Sequence, residues 1–266
     1  MQGCLILLES VIEIGVLSPF SFLHVTDSHI DMDSCEGNGA YYLEKAQCFA
    51  KEKNVFLLCT GDIFKCYSPK NIDYAKNHIN TDSGIYIPGN HDFCSFDNDG
   101  LGEAERETEF SKKWHGFYKK DLCFDARIIN GVNFISIQNI YYSISKRQIQ
   151  MLKEEVARGY PIILCVHIPL FSSEKAEEML AGGNPCAYML APPKEYLKRY
   201  YPPSVKAQTP TKQTLESLEY IKNEPLIKAV VAGHIHQNFD GYADCGKRQI
   251  TTGKLSDGIA RLIKVV

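Results

Sequence analysis

The chain has 266 residues and a formal net charge of −3 at pH 7; 44% of its residues are hydrophobic and 23% are charged. These values are ordinary for a soluble globular protein and allow a substantial core. The weak net charge gives no electrostatic basis for a nucleic-acid or membrane partner. No apolar run approaches the roughly 18 residues of a membrane span. Residues 1–17 lack the basic start and unbroken apolar stretch of a signal peptide.

The sequence contains ten cysteines but no C-x-x-C pair, which excludes the common zinc-ribbon and thioredoxin-like motifs. Several of them, such as Cys59 and Cys165, lie inside apolar runs, where cysteine behaves as a small buried hydrophobic residue. In a chain of this length, such usage predicts free thiols and a reducing compartment. We therefore expect a cytoplasmic protein.

Short apolar runs rich in β-branched residues alternate with helix-like segments, which is the pattern of a layered α/β fold. Residues 9–17 alternate in the manner of an edge strand, and residues 19–27 form a more apolar run that predicts a buried strand. Residues 41–53 have helical spacing and lead into a third predicted strand at 54–62.

A second helix is predicted at 69–80, followed by a short strand within 84–92. Residues 125–138 are typical of a β-hairpin, because Asn130 and Gly131 form a two-residue turn between two alternating runs. Strands joined by a hairpin are antiparallel, whereas strands joined through helices are generally parallel. The sequence therefore predicts mixed sheets.

The second half continues the alternation of helices and strands. Helices are predicted at 145–159 and 211–223, and strands at 161–169, 226–236, 248–253 and 258–266. Residues 172–210 differ, because they are rich in proline and tyrosine and have no strand period. Long loop-like stretches inside a compact domain are lids, binding loops or disordered segments. We predict a single domain over residues 1–266 with an insert at about 172–210.

Five of the apolar runs are followed, at their carboxyl ends, by side chains suited to metal binding or catalysis. These side chains are Asp27 and His29, Asp62, Asn90 with His91 and Asp92, His167, and His234 with His236. Ligands bind at this edge of α/β sheets, and imidazole is the commonest metal ligand. Taken alone, His234 and His236 fit a turn with two solvated histidines equally well. Five such clusters in order, each after an apolar run, predict a shared site.

The five clusters resemble those of the calcineurin-like metallophosphoesterases, and the resemblance extends from Asp27 to His236. It implies an α/β fold of the α+β type, a four-layer sandwich of two mixed β-sheets flanked by helices, with a dimetal site at the carboxyl edge of the strands. It also implies a ligand set. Asp27, His29 and His236 would hold one ion, Asn90, His167 and His234 the other, and Asp62 would bridge them. Such mixed ligands suit iron, manganese or zinc.

The resemblance further implies a metal-dependent phosphoric ester hydrolase acting on a small phosphodiester or phosphomonoester. A hydroxide bridging the two metals would attack phosphorus, and His91 would protonate or stabilise the leaving oxygen. Many members read G-D-x-x-D in the second block, and the later aspartate steadies the catalytic histidine. Here Lys65 takes that place, which makes Asp92 the candidate partner of His91. The same block and the GNHD sequence also differ from those of protein serine/threonine phosphatases.

Two other functions remain open. A nuclease-type phosphodiesterase is one, because "GDIF" resembles that branch, although those enzymes usually carry a second domain and a basic surface. A non-catalytic partner-binding protein on the same fold is the other, although such proteins lose metal ligands and this chain keeps all seven. The insert at 172–210 is either a lid, whose tyrosines and basic residues bind a base or sugar and steer a phosphate, or a solvated excursion or oligomer contact.

Two further polar residues have simpler interpretations. His24 lies inside the first buried run, where we expect a core histidine. Asp31 follows the first cluster and is expected to cap the loop there.

Overall fold

The computed structural model describes residues 3–34, 37–93, 112, 117 and 121–266. Cys35 and Cys94, two of the thiols expected to be free, lie outside these residues. The eight cysteines within them are free thiols. In the part of the chain that is described, no helix combines the length and the apolar character needed to cross a bilayer.

One sheet has five strands and contains both the first and the last strand of the chain. Its members are β1 (Ile6–Ile12), β2 (Phe20–Val25), β3 (Phe56–Cys59), β4 (Gly84–Tyr86) and β11 (Ile259–Val265). They lie in the order β1-β11-β2-β3-β4. Only the β11–β2 pair is antiparallel. The first strand lies at an edge, as predicted, but begins at Ile6 rather than at residue 9.

The other sheet has six strands. Its members are β5 (Phe124–Ile129), β6 (Val132–Ile137), β7 (Ile162–Cys165), β8 (Ile227–Ala232), β9 (Phe239–Tyr242) and β10 (Arg248–Thr251). The order is β5-β6-β7-β8-β10-β9. The predicted hairpin is β5 and β6, joined by Asn130 and Gly131, which both have positive φ as this turn requires. Strand β9 was not predicted.

Seven helices are described. They are α1 (Gly39–Glu52), α2 (Pro69–His78), α3 (Lys146–Val156), α4 (Ser173–Ala181), α5 (Lys194–Leu197), α6 (Pro202–Gln208) and α7 (Lys212–Asn223). Helix α3 begins with a capping box in which Ser145 and Gln148 exchange hydrogen bonds with each other's backbone. Helix α2 begins with Ser68 as its cap and Pro69 in its first turn.

The alternation of side chains along the strands builds the layers. Phe22, Phe134 and Ile163 belong to a core between the two sheets, and the rings of Phe22 and Phe134 meet edge to face at 5.3 Å. Leu23, one residue on, points the other way and packs in the outer core that contains Leu43 of α1. The second sheet has its own outer core with residues of α3 and α7. The predicted sandwich of two mixed sheets flanked by helices is confirmed.

The segment 172–210 is not the loop-like stretch that its composition suggested, because it contains α4, α5 and α6. Its apolar residues form a small core of their own. The start of this region is also tied to its middle, since Leu170 and Leu190 form an isolated parallel bridge.

Candidate metal centre

The loops that leave β2, β3, β4, β7 and β8 converge at one edge of the sandwich. Two groups of ligand-type side chains meet there: Asp27, His29, Asp62 and His236 in one, and Asp62, His167 and His234 in the other. Within each group, one nitrogen or oxygen atom from every residue lies within 4.8 Å of all the others. Asp62 belongs to both. Asn90 joins the second group, since its Oδ1 lies 3.0 Å from His167 Nε2.

The backbone at this edge is unusual. Five of these residues have positive φ, between 47° and 68°: Asp27, His29, Asp62, His234 and His236. Residues other than glycine rarely adopt this conformation, which costs about 1–3 kcal/mol each and clusters at functional sites. Hydrogen bonds between the loops hold it in place, among them Asp27 N–H to Gly61 O at 3.0 Å and His29 N–H to Asp62 O at 3.0 Å.

The Asp27 carboxylate has one satisfied and one unsatisfied oxygen. Oδ2 accepts from the Thr26 hydroxyl at 2.6 Å and from the His234 backbone at 2.9 Å. Oδ1 is buried without a hydrogen-bond partner. It faces His236 Nε2 at 3.2 Å and His29 Nε2 at 3.7 Å. The two Nε2 atoms are themselves 3.1 Å apart. Three ligand-type atoms therefore converge on one small space.

Asp62 repeats this arrangement. Its Oδ1 accepts from the His91 backbone at 2.7 Å, whereas its buried Oδ2 has no hydrogen-bond partner. That oxygen lies 3.3 Å from His167 Nε2 and 4.0 Å from His29 Nε2. The other nitrogen of His167, Nδ1, donates to the Thr60 carbonyl at 2.7 Å. This bond directs Nε2 into the centre.

The electrostatics of the centre favour a cation. Burial lowers the pKa of His29 to about 4 and that of His234 to about 3, so both rings are neutral at pH 7 and keep a lone pair for a metal. Burial alone would raise the pKa of Asp62, but the positive charge of His167 outweighs it and the pKa is lowered. Reciprocally, the charge of Asp62 overcomes burial and raises the pKa of His167 to about 9. Without a bound ion, a proton on His167 offsets the buried negative charge, and a cation in the centre would take the place of that proton.

His91 is oriented by the main chain. Its Nδ1 donates to the carbonyl of Lys65 at 2.9 Å, while the Lys65 ammonium pairs with Asp31 at 3.1 Å. Asp92 was expected to orient this ring. Its two oxygens instead accept from the backbone N–H groups of Gly89, at 2.8 Å, and Phe64, at 3.0 Å. Position 65 lacks the aspartate that many family members have there. The main-chain carbonyl of Lys65 accepts the hydrogen bond from His91 in its place.

Sequence reasoning missed Tyr142. Its hydroxyl lies 2.8 Å from His234 Nε2, which leaves Nδ1 of His234 for an ion. Tyr142 also has a positive φ of 54°. Tyr142 lies shortly after the end of β6, which is a sixth apolar run. A search for polar residues after this run as well would have found it.

The centre opens into a cleft of about 360 Å³. The cleft is lined by residues of the centre, which are Asp62, Asn90, His91, His234 and His236, and by Tyr142, Met179, Asn184, Tyr188 and Ile235. Three of these residues, Met179, Asn184 and Tyr188, come from the segment 172–210. This segment therefore borders the centre.

Two residues outside the centre have the roles expected for them. His24 is fully buried between the hydroxyls of Thr252, at 2.7 Å, and Thr60, at 2.9 Å. Burial lowers its pKa to about 3, so it is a neutral core histidine. Asp31 accepts from the backbone N–H groups of Asp33 and Ser34 and caps the loop.

The donor set fits a pair of cations. Asp27 Oδ1 and Asp62 Oδ2 are buried acceptors without hydrogen bonds, and a buried charge left in this way is strongly destabilising. Each is faced by imidazole nitrogens, which are metal ligands in their neutral form. A cation at each group would satisfy these oxygens.

The two mixed sheets and the shared-carboxylate cluster define an α/β sandwich protein with a candidate dimetal centre. The sequence pattern of calcineurin-like phosphoesterases matches residues 20–238. The chain therefore belongs to the calcineurin-like phosphoesterase family, as its motifs predicted.

Solved structures show the same fold at low sequence identity. A dimetal phosphatase from Danio rerio is 12% identical, with a TM-score of 0.52 over 89% of this chain and 88% of that chain. A purple acid phosphatase from yellow lupin (Lupinus luteus) seeds is also 12% identical, with a TM-score of 0.50, covering 88% of this chain and 44% of that one. No curated protein gives a significant match.

Proposed function

We propose that the protein is a dimetal phosphoesterase that hydrolyses a small phosphodiester or phosphomonoester. The observation that carries the proposal is the pair of buried oxygens, Asp27 Oδ1 and Asp62 Oδ2, which lack hydrogen bonds and face imidazole nitrogens 3.2–4.0 Å away. Buried polar atoms are almost always satisfied. Two carboxylate oxygens of this kind, each faced by imidazole nitrogens, suit a bound cation.

The proposed ligands follow the two groups. Asp27, His29 and His236 would hold one ion, Asn90, His167 and His234 the other, and Asp62 would contact both. Nitrogen, carboxylate and amide donors together suit manganese, iron or zinc. Tyr142 and Thr60 would act as outer partners by fixing the orientations of the His234 and His167 rings.

When bound, two such ions acidify a water molecule and neutralise the charge on phosphoryl oxygens. The chain's own residues must then position the ester and protonate the leaving oxygen. His91 lines the cleft, and its Nδ1 is engaged by the Lys65 carbonyl. Its Nε2 is therefore the atom that would deliver the proton to the leaving oxygen. Asp92 would contribute indirectly, by holding the backbone of the loop that carries His91.

The test combines metal analysis with kinetics on the full-length chain. Elemental analysis should find two transition-metal ions per chain, and added manganese should stimulate hydrolysis of a mono-aryl or a bis-aryl phosphate. Comparison of the two substrates assigns monoesterase or diesterase activity. Protein that holds two metals yet hydrolyses neither ester between pH 5 and 9 would contradict the proposal and favour a partner-binding role.

A pair of histidine variants sharpens the test. His167→Ala should lose one of the two ions and lower kcat by more than the roughly 10–100-fold typical of an outer-shell residue. The matched control is His78→Ala. His78 is half-exposed, and in the described part of the chain its ring nitrogen pairs with Glu44 on the surface. This variant should keep both the metals and the activity. Equal losses in the two variants would point to general destabilisation.

We also infer a cytoplasmic location. The support is chemical, since the eight described cysteines are free thiols and four of them are buried. Alkylation at cell lysis followed by mass spectrometry of the denatured protein should find the cysteines alkylated, and therefore reduced in the cell.

A further inference from the structure

Part of the lining of the cleft is apolar and aromatic. We call it the wall and define it by Met179, Tyr188 and Ile235, with the amide of Asn184 beside them. The Tyr188 ring stands nearly perpendicular to the His234 ring, with the centroids 6.2 Å apart. The rest of the described lining includes the carboxylate and imidazoles of the candidate metal centre. A molecule in the cleft would therefore contact both polar ligands and an apolar surface.

The wall is anchored to the metal centre. Ile235 lies between His234 and His236 in sequence, is 5% exposed, and packs into the small core of the segment 172–210. The other buried members of that core are Phe171, Ala176, Met179, Cys186, Ala187, Met189, Leu197 and Tyr200. Backbone hydrogen bonds fix the start of the segment, from Phe171 N to Leu190 O at 3.1 Å and from Leu190 N to Pro169 O at 2.8 Å. These contacts describe a fixed surface rather than a hinged lid.

The basic residues of the segment 172–210 are not part of the wall. Arg199 forms two hydrogen bonds with the Glu177 carboxylate and lies over the Tyr196 ring at 5.1 Å. Among the described residues that line the cleft, none is lysine or arginine. The expectation that this segment steers a phosphate through its positive charges is therefore not supported by the contacts of Arg199. The residues that it contributes to the cleft, Met179, Asn184 and Tyr188, are uncharged.

We propose that the wall is a binding subsite for the organic group of the phosphate ester, and that it selects a flat, uncharged, aromatic or apolar group. Aromatic side chains gain from edge-to-face or offset contacts with a bound ring. The volume of about 360 Å³ is near the lower end of the roughly 300–1,000 Å³ of small-molecule sites. A phosphoryl group with one ring-sized substituent suits this space. The inference rests on the proposed function only for placing the phosphoryl end at the metal centre.

Two non-hydrolysable probes test the subsite independently of catalysis. Phenylphosphonate and methylphosphonate share the anionic end and differ only in the organic group. Calorimetry on the metal-loaded protein should show phenylphosphonate binding about tenfold more tightly, as expected for partial burial of a ring. Equal affinities, or no binding of either probe, would overturn the inference.

Variants locate the preference on the wall. Tyr188→Ala should reduce it to about threefold or less, with unchanged metal content and an affinity for methylphosphonate within about twofold of wild type. Tyr188→Phe should keep the preference, because the ring remains. Tyr201→Ala is the control within the same segment, since Tyr201 is 58% exposed, and it should behave as wild type. Full preference in Tyr188→Ala, or an equal loss of both probes, would reject the subsite.

The two proposals fail in different ways. If the protein hydrolyses no ester, the phosphonate preference still reports on the wall. If the wall is not a subsite, hydrolysis persists and Tyr188→Ala has equal effects on kcat/KM for phenyl phosphate and ethyl phosphate.

Discussion

A main-chain carbonyl, rather than a side chain, orients His91. The bond from Nδ1 to Lys65 O survives any substitution at position 65 that keeps the backbone path. Lys65→Met removes the half-exposed ammonium and its pair with the buried Asp31 carboxylate, which keeps its hydrogen bonds from Asp33 and Ser34. We therefore expect Lys65→Met to keep hydrolysis of an aryl phosphate within about threefold of wild type.

His91→Ala is the matched comparison. Loss of a positioned general acid should lower kcat about 100- to 10,000-fold, with the metal content unchanged because His91 is not among the proposed ligands. Steady-state kinetics together with elemental analysis measure both quantities. A Lys65→Met variant as inactive as His91→Ala would show that the lysine side chain itself takes part.

Tyr142 makes a second prediction at the scale of single residues. Tyr142→Phe removes the hydroxyl that meets His234 Nε2 at 2.8 Å, and outer partners of this kind change metal affinity about 10–100-fold. Competition with a chelator should show one of the two ions bound more weakly. Tyr242→Phe, at a ring that is 63% exposed, is the control. Unchanged affinity for both ions in Tyr142→Phe would remove this residue from the centre.

For single residues, the sequence predicted which side chains lie near the centre but not which atoms they contact. The polar clusters could be located because each follows an apolar run, and the roles expected of the seven ligands and His91 came from the resemblance to a family. The structure brings these side chains to one edge of the fold. The partner of His91 could not be named, because a backbone carbonyl has no signature in the sequence. Asp92 was chosen for its residue type. Its actual contacts, with Gly89 and Phe64, depend on the tight path of a loop.

Among the elements, that same loop has no room for an added side chain at Gly89. A Cβ on Gly89 would overlap Asp62 Oδ1 and the Asp62 backbone. Gly89→Ala should therefore displace Asp62, reduce the bound metal to less than one ion per chain and abolish activity. Gly182→Ala is the control, since a methyl there meets only helix carbonyls at 3.3 Å and 3.4 Å. Metal content is the measurement, and a fully loaded Gly89→Ala protein would contradict the proposed position of Asp62.

The elements that could be predicted are those with a clear hydrophobic period or a strong turn signal, such as the Asn130-Gly131 hairpin. Strand β9 escaped because it contains Asp240 and Gly241, which are poor strand formers, and is held by pairing with β10. The helices of the segment 172–210 were not predicted because α5 and α6 are short and lie beside prolines, and because α4 was judged by the composition of the whole segment. They are stabilised by their own small core, which is a tertiary effect.

For the whole molecule, the buried unsatisfied carboxylates couple metal binding to stability. A ligand that binds only the folded state at about 100 times its Kd stabilises it by about 2.7 kcal/mol. For a chain of this size, that corresponds to a rise in Tm of roughly 5–10 °C. We expect manganese to produce this rise in chelator-treated wild-type protein. Thermal unfolding followed by circular dichroism is the measurement.

The control for this experiment is Asp62→Asn, which removes the charge shared by the two groups. Its Tm should respond to manganese far less than that of wild type. An equal rise in both proteins would mean that the ion binds elsewhere on the surface.

The pairing of the first and last strands has a consequence for how the chain is made. Strand β2, which leads into Asp27 and His29, lies between β3 and β11, and Leu255 N–H binds the Thr26 carbonyl at 2.8 Å. All seven proposed ligands have been synthesised once translation passes His236, but β2 still lacks one of its two neighbours. The nascent chain therefore cannot complete the support of its metal centre until β11 has been made. Truncation after residue 240 would leave every ligand in the polypeptide but remove β11 and the Leu255 contact, which support the strand that carries the first two.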